Sequence, residues 1–207
     1  MKTTLSLTLA AVLLAAGAAQ AQDKPTSGVS TSQTQSANVV ANLNTRLNNV
    51  VGDVDATAAA IGNSVTLDGG KAGYVSNTQV FRGDAVAELN GSLGSVTGDV
   101  NLTAAAIANS ASLKVGDAGS VTNYQVSNYD PTARLNLNAG TLTGGVETTA
   151  AAIANSATIQ ADAGYIGSTQ GNGAYTSAAS SVNVDRVTGA ISATTAAIGN
   201  SLTVKGF

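Results

Sequence analysis

The sequence has no histidine, no cysteine and no tryptophan, and only two prolines among its 207 residues. Without histidine there is no imidazole acid–base chemistry, no Ser-His-Asp relay and no histidine metal ligand. Without cysteine, thiolate catalysis, the usual zinc sites and disulfide cross-links are excluded, so whatever holds the fold is non-covalent. Aromatic residues make up 3% and charged residues 10% of the chain. So few large side chains point away from a broad globular core. They favour a narrow one, closed by backbone hydrogen bonds and by Ala, Gly, Ser, Thr, Asn and Val. The net charge of −3 includes no basic patch, which argues against nucleic acid or an anionic membrane as partner. The acids are scattered. Asp53 and Asp99 share an alignment column, but Gly145 and Ala190 follow them there, and calcium repeats of the Gly-Gly-x-Gly-x-Asp type are missing. No catalytic, metal-binding or cofactor-binding residue is assigned, and neither an enzyme nor a small-molecule substrate is expected.

What the chain does have is an internal repeat. Thr57–Ser64 reads TAAAIGNS, and Thr103–Ser110, Thr149–Ser156 and Thr194–Ser201 repeat it almost unchanged. The isoleucines Ile61, Ile107, Ile153 and Ile198 are 46, 46 and 45 residues apart. Aligning on them reveals further columns: Val54, Val100, Val146 and Ile191 upstream, then Leu67, Leu113, Ile159 and Val204 downstream. Gly52, Gly98, Gly144 and Gly189 form an unbroken glycine column. Asn63, Asn109, Asn155 and Asn200 form another, each followed by serine (Ser64, Ser110, Ser156, Ser201). Gln79, Gln125 and Gln170 recur after an Ala-Gly turn, and the single deletion lies near Asp162, beside that turn.

Polar, small and large residues at fixed columns suit a stack of like units, none of which can bury its apolar face alone. Parallel stacking would place like over like about 4.8 Å apart. The asparagines would then form an amide ladder, and the Ser and Thr columns would do the same with hydroxyls. The other reading makes each asparagine an independent turn or cap residue. The isoleucine column and the Val54, Val100, Val146 and Ile191 column are expected in the core. Tyr74, Phe81, Tyr124, Tyr129, Tyr165 and Tyr175 are expected to pack at its edge.

Segments such as Arg134–Asn138 and Ser181–Asp185 alternate with the strand period. TAAAI has good helix formers, so a short helix there is the alternative to a strand. The expected fold is all-β: a β-solenoid of four units of about 46 residues, each one coil or two. Residues 1–21 read as a secretory signal peptide, with Lys2, an apolar Leu5–Ala19 run and the small-x-small site Ala19-Gln20-Ala21. Residues 22–37 read as a flexible polar leader, and residues 38–207 as the repeat domain.

Gly62-Asn-Ser-Val-Thr-Leu67, with Asn109–Leu113 and Asn155–Ile159, resembles the Gly-Asn-Ser core of curli subunits, and the glutamines resemble the curlin glutamine column. The four TAAAI(G/A)NS copies are also similar to the repeats of bacterial holdfast-anchoring surface proteins. The resemblance implies an exported structural protein at the cell surface. It would form or anchor an adhesive fibre by strand-edge addition, with self-association or other fibre subunits as partners. It also implies passage through a curli-type outer-membrane pore that recognises the polar leader. Other readings are a monomeric adhesin or ice-binding solenoid and a small outer-membrane barrel, the last disfavoured by the shortage of aromatics.

Overall fold

The computed structural model describes residues 7–18 and 28–206, and every element in it is a strand. In chain order these are β1 (Leu7–Ala18), β2 (Val29–Gln35), β3 (Val39–Val50), β4 (Val54–Phe81), β5 (Ala85–Val96) and β6 (Val100–Ser127). They continue with β7 (Thr132–Leu142), β8 (Val146–Ala163), β9 (Ile166–Asn172), β10 (Ser177–Val187) and β11 (Ile191–Lys205). All strand pairs among the described residues are parallel. One sheet runs β1-β4-β6-β8-β11, with β2 on β4 and β9 on β6; the second runs β3-β5-β7-β10. Stacked parallel sheets linked in this way are the arrangement of a β-solenoid. A transmembrane barrel pairs its strands antiparallel instead.

Register gives the length of one turn. Val54 pairs with Val100, Phe81 with Ser127 and Val39 with Ala85, all 46 residues on. No described pair joins residues half that distance apart, so each unit is one turn rather than two. The deletion falls where the sequence placed it. Val115 pairs with Ala161 but Ala118 with Ala163, so Gly116 and Asp117 lie opposite the single residue Asp162. Beyond this point the step is 45 residues, as in Val146↔Ile191.

TAAAI is strand in every copy, although alanine is the best helix former. The strand period decides this. It turns Ala58 and Ala60 inward and leaves Ile61 half-buried on the other face, and the same alternation repeats at Ala104, Ala106 and Ile107. The alternation slips once per turn. Gly62 and Asn63 are consecutive and both buried, as are Ala108 and Asn109, then Ala154 and Asn155. The long strand bends at this corner, and each residue after it is inward where the earlier phase would have put it outward.

The bend divides the interior. One apolar cluster lies between the first arm of β4, β6 and β8 and the second sheet, and includes Val54, Ala58, Leu89, Leu102, Leu135 and Val146. A smaller cluster, with Val65, Leu67, Val75, Leu113, Val121 and Ile159, fills the space beyond the corner. The Val54 column is therefore core in three turns, with Val54, Val100 and Val146 all buried. The isoleucine column is not. Ile61, Ile107 and Ile153 are half-buried and Ile198 is exposed, because they precede the phase slip and face outward. The isoleucines nonetheless stand in one line, paired Ile61↔Ile107↔Ile153↔Ile198.

Strands also occupy parts of the two N-terminal segments. Residues 29–35 of the expected flexible leader form β2, paired Val29↔Val75 to Gln35↔Phe81. The physical reason is that this stretch repeats the polar-x-Gln pattern of the strand it lies on. Leu7–Ala18 of the expected signal peptide pairs with β4 from Val54 to Thr66. The basic start of that peptide, its Ala19-Gln20-Ala21 site and the leader residues 22–27 lie outside the described residues. Of the six aromatics read as edge packing, Phe81 is fully buried and the five tyrosines are exposed.

Candidate functional site: stacked amide ladders and the end of the coil

The seam between the two apolar compartments is polar. Asn63 Nδ2 donates to Asn109 Oδ1 at 2.8 Å, Asn109 to Asn155 at 2.8 Å and Asn155 to Asn200 at 2.7 Å. The second amide proton crosses the seam: Asn109 donates to the Val126 carbonyl at 2.9 Å and Asn155 to the Gly171 carbonyl at 2.8 Å. The glutamines form a facing ladder of opposite direction. Gln170 donates to Gln125 at 2.8 Å, Gln125 to Gln79 at 2.7 Å and Gln79 to Gln33 at 2.9 Å. Their remaining protons go to main-chain carbonyls: Gln33 to Ser64, Gln79 to Ser110, Gln125 to Ser156 and Gln170 to Ser201. The serine column thus takes part through its carbonyls, where the sequence suggested hydroxyls.

This arrangement satisfies the rule that buried polar groups find partners. Asn109, Asn155, Gln79 and Gln125 are all fully buried. Each holds its own sheet to the turn above or below and holds the strand across the seam as well. Removing one amide leaves several buried partners orphaned, at about 1–3 kcal/mol for each.

Sequence reasoning missed a third column. Thr31 Oγ1 donates to Asn77 Oδ1 at 2.8 Å, Asn77 to Asn123 at 2.7 Å and Asn123 to Ser168 Oγ at 3.1 Å. Its signal was the phrase polar-x-Gln, which occurs as Thr31-Ser-Gln33, Asn77-Thr-Gln79, Asn123-Tyr-Gln125 and Ser168-Thr-Gln170. The same phrase would have found Gln33 as the fourth glutamine. On the outer face, Asn136 donates to Asn90 at 2.9 Å and Asn90 to Asn44 at 3.0 Å.

The corners before β4, β6, β8 and β11 carry the glycine column. A Cβ on Gly98 would overlap the backbone of Gly52, one on Gly144 the backbone of Gly98, and one on Gly189 the backbone of Gly144. Gly52 also has φ 123°, where a side chain is strained. Beside it, the decaying acid column does structural work. Asp53 accepts from the Asp99 N–H at 2.9 Å and Asp99 from the Gly145 N–H at 2.7 Å. Its carboxylates hold turn to turn. Among the described residues, no three acids lie close enough to hold a metal ion.

The last turn is open. Ile191 is 48% exposed, while its column mates Val54, Val100 and Val146 are 2% or less. Val204 is 47% exposed, against 1% for Leu67 and Leu113 and 0% for Ile159. These side chains point where interior residues point in every other turn, and no described strand lies over them.

A family model described as holdfast attachment protein D matches residues 68–207. No curated protein matches the chain. No solved structure matches it either.

Proposed function

This chain belongs to the holdfast attachment protein D family, with a role in adhesion at the cell surface, and from that premise we propose that it is a structural element that forms or anchors an extracellular, curli-like fibre. The observation that carries the reading is the identity of the ladders from turn to turn. Asn stacks on Asn and Gln on Gln at every step, so a further turn with the same columns can be added by the bonds that already join the existing ones. Strand edges recruit strands in this way, through main-chain hydrogen bonds with side-chain columns setting the register. The reading assigns no enzymatic activity, cofactor or nucleic-acid partner. It includes export by the N-terminal apolar segment and passage through a curli-type pore. Among the described residues Ile191, Leu202 and Val204 of β11 stand exposed in columns that are buried in the other turns, and a further turn laid on β11 would bury them, which supports assembly over a monomeric adhesin.

The test is assembly of purified protein. Asn109→Ala combined with Asn155→Ala, in protein freed of residues 1–21, is expected to slow or abolish the thioflavin-positive fibres formed by the equally shortened parent. Fibres growing at the parent rate would contradict the ladder mechanism.

A further inference from the structure

The two ends of the stack are complementary in three independent ways. The first is register. The column from β4 to β11 runs Thr66↔Ser112↔Thr158↔Thr203 and Ile61↔Ile107↔Ile153↔Ile198, so β4 and β11 present closely matching segments, TAAAIGNS against TTAAIGNS. The second is hydrogen-bond polarity. The asparagine ladder donates toward the last turn and the glutamine ladder toward the first. The Gln170 oxygen accepts from no described residue, and the Gln33 amide, which gives one proton to the Ser64 carbonyl, gives its second to no described residue. Asn200, which gives one amide proton to the Gln170 carbonyl, has its second free of any described acceptor, and the Asn63 oxygen accepts from no described residue. The third is charge. Asp68 and Lys114 form an exposed ion pair, and this column continues Asp68↔Lys114↔Gln160↔Lys205. A further turn laid on β11 in register would therefore put an Asp68 carboxylate next to the Lys205 ammonium.

One element stands in the way. β1 pairs with β4 from Leu7↔Val54 to Ala18↔Thr66, on the edge that a second molecule would need. It also closes the first turn, whose Val54, Ala56 and Val39 are buried while the last turn is open.

We infer that the partner of the open last turn is the first turn of a second copy of this chain, and that Leu7–Ala18 blocks this contact until it is removed. This rests on the fibre reading above and specifies its interface, direction and control. β11 of one copy takes the place of β1 on β4 of the next. Gln33 of the incoming copy donates to Gln170, Asn200 donates to Asn63, and Gly52 comes to lie against Gly189, so the glycine column also runs through the junction without a Cβ to obstruct it. Growth is head-to-tail, with one end of each molecule inert while β1 is in place.

The test uses the full chain, carrying a protease site inserted beside Ala21, folded before cutting. Sedimentation and negative-stain microscopy follow the intact and the cut protein. The intact chain is expected to remain monomeric and the cut chain to form end-to-end assemblies. Geometry is read separately, by mixing a Thr203→Cys variant with a Thr66→Cys variant after cutting and adding a short thiol-to-thiol linker; the parent has no cysteine to interfere. Dimers joining position 203 to position 66 are expected to exceed those formed by either variant alone by tenfold or more. Equal assembly of intact and cut chains would overturn the blocking role of β1. Assembly without the 203-to-66 link would overturn the head-to-tail interface while leaving the fibre reading in place. A cut chain that keeps its β-sheet circular dichroism but stays monomeric would overturn both.

Discussion

A buried side chain in a stacked fold answers to the residues above and below it as well as to its neighbours in its own turn. Phe81 shows this. Its ring is fully buried and fills the space a Cβ on Gly62 would need. One turn on, Phe81 is replaced by Ser127, and Gly62 by Ala108. The small residue and the large one have exchanged volume. Gly62→Ala alone is expected to destabilise by about 1–3 kcal/mol through overpacking. Phe81→Ser alone should cost about 3–5 kcal/mol through the cavity it leaves. Together they reproduce the pair found in the next turn, so their combined cost should fall short of the sum by about 1 kcal/mol or more. Urea unfolding of the four proteins measures this, and simple additivity would refute the exchange. At this scale the asparagine and glutamine columns were legible from identity and spacing. The burial of Ile61 was not. It depends on a phase slip between Gly62 and Asn63 that no period count reveals, because the run of apolar residues reads equally well in either phase.

The elements are long strands that bend rather than end. β4 and β6 each run 28 residues through a corner and a turn, because every stretch of them finds a partner in the neighbouring turn. The TAAAI segments show why local propensity misled. Alanine favours helix by a few tenths of a kcal/mol over most residues, whereas a helix there would forfeit main-chain pairing to two neighbouring strands. The leader shows the same effect in reverse. Val29–Gln35 has almost no apolar content, yet it is a strand because Thr31 and Gln33 extend ladders already present. Corners are where elements are most constrained. Gly144→Ala would press a methyl group into the Gly98 backbone and to 2.7 Å from the Asp99 carboxylate. A loss of about 1–3 kcal/mol is expected. Gly206→Ala, where a Cβ would meet nothing, should be neutral. Thermal unfolding compares them, and equal effects would show that the corner glycines are not packed as described.

For the whole molecule, the governing quantity is the length of chain in one turn. Repeat spacing alone allowed one turn or two in 46 residues, since a period fixes the unit and not the path within it. Pairing of both arms of β4 to the same partner strand settles the path. A consequence is that whole turns are removable. Deleting residues 100–145 joins Asp99 to Val146 and restores the junction found at Gly145–Val146, where the Val146 N–H bonds to the Ala190 carbonyl. The shortened protein should keep its β-sheet circular dichroism and unfold cooperatively, with a lower midpoint. Deleting residues 100–122, half a turn, should abolish folding, since every later column would fall out of register. If both deletions behaved alike, stacking would not be the source of order. The surface role follows from family membership, while the choice between fibre subunit and anchor lies at the ends of the stack, where sequence alone carries little signal.

The most direct measurement exploits the absence of cysteine. Thr66 and Ser112 are exposed, and they pair as neighbours one turn apart. A monomer carrying Thr66→Cys and Ser112→Cys should be joined internally by a thiol-to-thiol linker only a few ångströms long, with the bridged peptides identified by mass spectrometry. A control carrying Thr66→Cys and Glu88→Cys, about half a turn apart, should not be joined. Bridging of the control, or failure of the first pair, would contradict the one-turn stack on which the account rests.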